Sequence, residues 1–250
     1  MDDDLEAALD SLPHGWSGTF LRVVGSTQDV ARAAANSGAP SASIFVADFQ
    51  SAGRGRHGRT WLAPPGTALL MSILLRERLA THIRARRATT LASVALAEAV
   101  EKLAPMLRAE IKWPNDLMLG GRKVAGVLAE SSSQGESQTT IVGVGVNVSQ
   151  DARALPALAT SISVEAGERI RRGVLLVAFI ERFEGWLEQP PAALHSAWES
   201  RLWRRNQRIR LADGDSTIDA TVLGAEEDGA LLVRLADGSV QRTFTGEVLA

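Results

Sequence analysis

The stretch GRGRHGRTWLAPPG, residues 53–66, most constrains what this chain can fold into. Its first six residues fit the dinucleotide-binding pattern G-x-G-x-x-G. Extended to Thr60, it misses the P-loop pattern G-x-x-x-x-G-K-[ST] by one residue, Arg59 in place of Lys. Both motifs hold phosphate at the N-terminus of a helix that starts at the loop. Here Pro64-Pro65-Gly66 follows almost at once and prevents a normal helix from starting. The dinucleotide motif also wants an acidic residue about 20 positions on, ending a second strand. The nearest candidate, Glu77, is flanked by Arg76 and Arg78. The pattern argues against both nucleotide folds. The loop keeps its own chemistry. Three glycines let backbone N–H groups approach an anion, and Arg54, Arg56 and Arg59 offer forked donors for carboxylate or phosphate. With His57, they put four basic groups in one short loop. Such a loop is expected to be mobile when empty and ordered by an anion. An RNA contact is the other reading, but the Gly/Arg unit occurs once, with Trp61 as its one neighbouring aromatic.

Composition narrows the class. The chain has 250 residues, 45% hydrophobic, enough for a packed core. A net charge of −2 argues against a whole-chain grip on nucleic acid or anionic lipid. The absence of cysteine excludes disulfides, thiolate metal sites and cysteine nucleophiles. The N-terminus, MDDDLEAALD, is acidic and does not read as a secretory signal, and no apolar run is long enough to span a membrane. A cytoplasmic location is the expectation. Of 27 basic residues, 24 are Arg and three are Lys: Lys102, Lys112 and Lys123. A Lys inside a motif is therefore more informative than usual.

Periodicity and turn signals predict strands at 18–24, 43–50, 67–76, 109–114 and 139–149, and a hairpin over 116–130 turning at Gly120-Gly121. Repeated glycines in 139–149 suggest a backbone that something approaches closely. Helices are predicted from Ser26, with Asp29 completing a capping box, to Asn36-Ser37-Gly38; over 87–104; and over 170–188 and 192–203, parted by Pro190-Pro191. Three Asp-Gly pairs, at 213–214, 228–229 and 237–238, mark hairpin turns. They predict a small all-β barrel over 206–250.

KWPNDLMLGGRKVAGVLAE, 112–130, is the second dense segment. Trp113-Pro114 predicts extended backbone entering Asn115-Asp116. Taken singly, Lys112 reads as a solvated strand residue and Lys123 as a hairpin cation. Together with GSTQD (25–29), DFQSAGRGRHGRTW (48–61), KWPND (112–116), GRKVAGVLAE (121–130) and IVGVGVNV (141–148), the chain resembles the biotin–protein ligases. These pieces stand in family order over about residues 20–150. The resemblance implies an α+β fold: a mixed-sheet catalytic domain packed with helices, class II synthetase-like, over residues 1–204, then a small SH3-like barrel over 205–250.

It also implies a reaction. Biotin and the α-phosphate of ATP are joined as biotinyl-5′-AMP, and a lysine of a biotin carboxyl carrier domain then attacks. Lys123 and Arg56 would be the catalytic cations, with ligand positioning alone as the alternative for Lys123. Ser26, Thr27, Gln28, Gln50, Gly53, Arg54, Gly55, Arg56, Lys123, Gly126, Leu128 and Gly143 would hold biotin. Arg56, His57, Arg59, Trp61, Asn115, Asp116 and Asn147 would hold ATP. Trp61 has two readings, adenine packing or core. Asp116 would reach Mg²⁺ directly or through water. His57 stands where the family often has another basic residue. The resemblance further implies a carrier domain of an acyl-CoA carboxylase as partner, and a monomer or weak homodimer. Only about 20 residues precede the matched core, so no DNA-binding domain, repressor function, nucleic-acid partner or membrane association is expected. A lipoate or octanoate ligase is the alternative within this fold, and a non-catalytic nucleic-acid-binding module lies outside it. The loop sequence favours biotin.

Overall fold

The computed structural model describes residues 5–76, 85–134, 137–214 and 216–249. Glu77, residues 1–4 and Ala250 lie outside these. The order is β1 (Ser17–Val24), α1 (Thr27–Asn36), β2 (Ser43–Gln50), β3 (Ala68–Arg76), α2 (Ala85–Leu103), β4 (Ala109–Lys112), β5 (Asp116–Leu119), β6 (Arg122–Gln134) and β7 (Ser137–Asn147). There follow α3 (Ile162–Ala166), α4 (Arg172–Leu187), α5 (Pro191–Glu199), β8 (Arg208–Asp213), β9 (Ser216–Ala225), β10 (Leu231–Leu235), β11 (Val240–Thr243) and β12 (Glu247–Leu249). The α+β expectation holds. Seven strands form a mixed sheet, β1-β2-β3-β7-β6-β5-β4, in which only β1 and β2 are parallel. Five more form an antiparallel sheet, β11-β10-β9-β8-β12. No helix among the described residues is long and apolar enough to cross a membrane.

Period-two alternation explains the layers. On β3, Leu69, Met71, Ile73 and Leu75 join the main core with Leu91, Leu96, Phe179 and Phe183 from α2 and α4. Leu74 faces the other way and packs with Ala31 and Ala35 of α1. On β7, Val142, Val144 and Val146 enter the main core. Gly143 and Gly145 between them leave the opposite face bare. That bare face is where the cavity forms.

Turn chemistry is as expected. Gly120 and Gly121 both adopt positive φ between β5 and β6. The three Asp-Gly pairs fall between antiparallel neighbours of the small sheet. Two local readings change. Ser26 occupies the cap position of α1, but its side chain makes no capping hydrogen bond. Asp29 does not close a capping box, because Arg54 and Arg32 compete for its carboxylate and bind it. Beyond β4, Trp113–Asn115 form a turn rather than an extended run, with a cis Trp113–Pro114 peptide.

The two sheets share one apolar core, in which Ile209, Leu211 and Val222 meet residues of the large sheet's helices. Trp113 Nε1 donates to the Gly229 carbonyl at 3.0 Å. The edge of β4 is closed by Ile111 bonding to Arg201 and Trp203.

Candidate active site

A cavity of about 150 Å³ opens over the glycine face of β6 and β7. Its walls come from the start of α1, the end of β2, the 54–61 loop, the 112–116 turn, the strand pair β6–β7, and Gly246-Glu247 of the small sheet. Gly126 pairs with Gly145 across the ladder, and Leu128 with Gly143. A methyl group on Gly145 would lie 2.7 Å from Trp61 Cε2, and one on Gly126 3.4 Å from Trp61 Cζ3. Trp61 thus lies flat on bare backbone. A methyl group on Gly143 would meet Gln28 Cδ at 3.0 Å. The close approach suggested by the repeated glycines is made by these two side chains.

One end of the cavity is neutral and polar. Gln50 Oε1 accepts from Thr27 N at 2.7 Å and from Thr27 Oγ1 at 3.0 Å, which leaves the amide's Nε2 as its free donor. Thr27 Oγ1 also bonds Ser72 Oγ at 2.8 Å. Gln28 Nε2 donates to the Leu128 carbonyl at 3.0 Å, while Gln28 Oε1 is buried with no hydrogen-bond partner. Buried polar atoms are normally paired, so an orphan acceptor on a cavity wall points to a ligand's donor. Trp61 Nε1, a donor, is a second buried atom without a partner.

The other end is charged. Lys123 Nζ bonds Asp116 Oδ1 at 2.7 Å and lies 5.7 Å from the Trp61 ring centre. Arg56 Nη1 donates to Asn115 Oδ1 at 3.3 Å, and Asn115 Nδ2 in turn donates to the Val127 carbonyl at 2.9 Å. Burial pushes the Arg56 guanidinium below its usual value, against the pull of Asp116 and Glu247. Arg59 bonds Glu247 at 2.5 Å, which holds that carboxyl below its ordinary value. Lys112 Nζ lies 3.9 Å from the same carboxylate. Its side chain is only 13% exposed, so the reading as a solvated residue fails. Burial lowers its pKa, and Asp116 and Glu247 draw it back up.

The loop is closed on itself. Trp61 N donates to Gly53 O at 2.9 Å and Gly55 N to Arg59 O at 2.6 Å. His57 sits in the left-handed region with φ 54°. Three of the basic groups have partners: Asp29 for Arg54, Glu247 for Arg59, Asn115 for Arg56. These anchors lie on three different elements.

Of the residues singled out from sequence, Ser26, Thr27, Gln28, Gln50, Arg54, Gly55, Arg56, His57, Arg59, Trp61, Asn115, Asp116, Lys123, Gly126, Leu128 and Gly143 line this one cavity. Gly53 and Asn147 do not. A side chain on Gly53 would meet Trp61 O at 2.5 Å, so Gly53 serves the loop's closure. Asn147 is buried behind the wall, donating to the Thr160 carbonyl and accepting from Gln150. Sequence reasoning missed Lys112, Gly145 and Glu247 as wall residues. For Lys112 the scarcity of lysine was a usable signal; for Glu247 there was none.

Residues 20–147 match the biotin/lipoate A/B protein ligase family, and residues 206–249 match the biotin protein ligase C-terminal domain. The chain is 34% identical over 200 residues to a biotin–[acetyl-CoA-carboxylase] ligase of Paracoccus denitrificans, covering 76% of this chain and 82% of that protein. It is 32% identical over 235 residues to the bifunctional ligase/repressor BirA of Bacillus subtilis strain 168, covering 90% of this chain and 71% of that one. Among solved structures, the biotin protein ligase from Aquifex aeolicus in complex with biotin and ATP superposes with a TM-score of 0.78 at 26% identity. The match covers 93% of this chain and 97% of that one.

Proposed function

We propose that this chain, which belongs to the biotin/lipoate A/B protein ligase family and is a ligase, joins biotin to ATP as biotinyl-5′-AMP and passes the biotinyl group to a lysine of a carboxyl carrier domain. The observation that carries the choice of biotin is the orphan Gln28 Oε1 beside Gln50 and Thr27. A cyclic urea brings N–H donors and a carbonyl acceptor to such a wall. A lipoyl or octanoyl chain brings neither and would leave the acceptor buried and unpaired, at about 1–3 kcal/mol.

In the first step a biotin carboxylate oxygen bonds the α-phosphorus and pyrophosphate leaves. Two anions must meet, so fixed cations are the chief requirement. Lys123, on β6, and Arg56, in the 54–61 loop, supply them. Their present partners, Asp116 and Asn115, hold both in place until ligand oxygens compete for them. Arg59 and Lys112, both beside Glu247, add positive charge on the side of the small sheet. In the second step the acceptor amine attacks the acyl carbon and AMP leaves. No enzyme nucleophile is needed.

Among the described residues no cluster of three or more His, Asp or Glu forms a protein-built metal site. Two carboxylates, Asp116 and Glu247, line the cavity. That set fits Mg²⁺, which keeps several waters and needs only one or two carboxylates besides the phosphates. When bound with ATP, Mg²⁺ would neutralise phosphate charge. We assign residues 1–204 to the catalytic unit and 205–250 to the C-terminal unit, with a cytoplasmic location.

ATP–pyrophosphate exchange with Mg²⁺ tests the reading, run with biotin, lipoate, octanoate or no acid. Exchange that depends on biotin alone is expected. Exchange with lipoate or octanoate would reassign the polar end. No exchange from folded protein would refute the ligase chemistry. Lys123→Ala is expected to keep the fold and lose most adenylate formation.

A further inference from the structure

We propose that Glu165, on α3, is a positioning residue for Lys123. The inference rests on the reading of Lys123 as the cation at the reacting centre. Lys123 is the second residue of β6, just past the Gly120-Gly121 turn. On one side it pairs with Met118 of β5. On the other side the ladder to β7 begins only at Ala125, opposite Val146. A short segment stands in for the missing strand. Lys123 N donates to the Leu158 carbonyl at 2.9 Å, and Thr160 N donates to the Lys123 carbonyl at 2.8 Å. Two bonds from an irregular segment hold a backbone poorly unless that segment is itself fixed.

Glu165 fixes it. Its Oε1 accepts from Thr160 Oγ1 at 2.6 Å and from Arg122 Nη2 at 2.5 Å. One carboxylate oxygen thus joins the residue before Lys123 to the residue bonded to the Lys123 carbonyl. The other, Oε2, lies 3.1 Å from where a Cβ on Gly120 would be, against the turn. The Glu165 side chain is only 15% exposed. Its helix is set in turn by Ser161, whose Oγ donates to the Gln150 carbonyl at 2.8 Å and accepts from Val164 N. None of Glu165, Arg122 and Thr160 lines the cavity. Any effect of theirs on the chemistry must therefore pass through a neighbour: Arg122 adjoins Lys123 in the chain, Thr160 N bonds the Lys123 carbonyl, and Glu165 bonds both Arg122 and Thr160. A cation that stabilises developing charge does so only when held in place, and support one residue away decides that.

The experiment is biotin-dependent ATP–pyrophosphate exchange by the full chain, with thermal midpoints measured alongside. The variants are Glu165→Gln, Thr160→Val, Lys123→Ala and the double Glu165→Gln/Lys123→Ala. Glu165→Gln should lower kcat about tenfold, leave KM for biotin within about twofold and keep the thermal midpoint. Thr160→Val should shift kcat the same way by less. With Lys123→Ala already present, Glu165→Gln should cost nothing further, because the group it positions is gone. Wild-type kcat in Glu165→Gln, while Lys123→Ala keeps only a small measurable residue of exchange, would overturn this proposal alone. An equal loss in both backgrounds would also overturn it, since Glu165 would then act through the fold. Full turnover by Lys123→Ala would instead overturn the reading of Lys123. Should Glu165→Gln fail to fold, Thr160→Val and Arg122→Gln carry the test; the Arg122 side chain is 42% exposed.

Discussion

The seat of Trp61 can be tested with one methyl group. In Gly145→Ala the new Cβ would lie 2.7 Å from Trp61 Cε2, 3.0 Å from Cδ2 and 3.1 Å from Cζ2. To restore the 3.4 Å of ordinary contact, the indole must retreat by about 0.7 Å. The strand cannot yield, because Gly145 sits in an unbroken ladder between Gly126 and Leu70. The loop must move instead, and its retreat carries Trp61 off the sheet and into the cavity beside Lys123. Overpacking of this kind costs about 1–3 kcal/mol. Taken from ligand binding at about 1.4 kcal/mol per factor of ten, it predicts a roughly 5–150-fold loss in kcat/KM for exchange. The thermal midpoint should fall little, since the strain is released in a loop. The partner test is Trp61→Ala, which removes all three ring atoms the methyl strikes. In that background Gly145→Ala should cost much less, a non-additive cycle. Wild-type exchange kinetics in Gly145→Ala, or a fully additive double variant, would refute the seating of Trp61 on the glycine pair.

Other outcomes follow from the same geometry. Gly185 is exposed in the last turn of α4 with open space around it. Gly185→Ala should raise stability by about 0.5–1 kcal/mol in calorimetry, with exchange unchanged. Gln50→Ala removes the amide that Thr27 orients and should raise KM for biotin roughly 5–150-fold, from about 1–3 kcal/mol of lost pairing. An unchanged KM would count against the polar biotin end. Lys112→Met should weaken ATP binding yet stabilise the protein at neutral pH, because burial opposes the charge of Lys112. Its folded-state pKa is lowered, so the native chain's penalty applies below that value and is relieved as pH rises towards 10.5. The variant's advantage in denaturant melts should shrink over that interval. Glu247 has the opposite sign. Its pKa is lowered by Arg59, so its stabilisation is present above 4.5 and lost as pH falls through the folded value. Glu247→Gln should flatten the acid limb of the stability profile.

Physical distance along the chain separates what was legible in the sequence from what was not. Chain punctuation is local, so Pro64-Pro65-Gly66 excluded an α-helix at the loop, and Gly120-Gly121 and the Asp-Gly pairs located turns. The alternation Val142, Gly143, Val144, Gly145, Val146 announced one packed face and one approached face. It could not name Trp61 and Gln28 as the groups that approach, since those lie 84 and 115 positions away. The capping box at Ser26 failed for a related reason. Asp29 was judged against its own helix, but Arg54, 25 residues on, makes two 2.7 Å bonds to it. Side-chain competition of that kind has no local pattern. Glu247 is the extreme case. It sits in an ordinary short strand and gains its meaning from Arg59, 188 residues earlier, and from Lys112. Lys112 differs, because this chain uses Arg 24 times and Lys three times, and two of the three lysines face one cavity. Arg is a rigid fork that stays charged, whereas Lys is a compact ammonium whose pKa moves when it is buried. At Lys112 and Lys123, two of the three basic positions where Arg was not used, a compact ammonium meets the cavity. For Lys112 a composition bias carried that information, whereas Lys123 also stood in the GRKVAGVLAE motif.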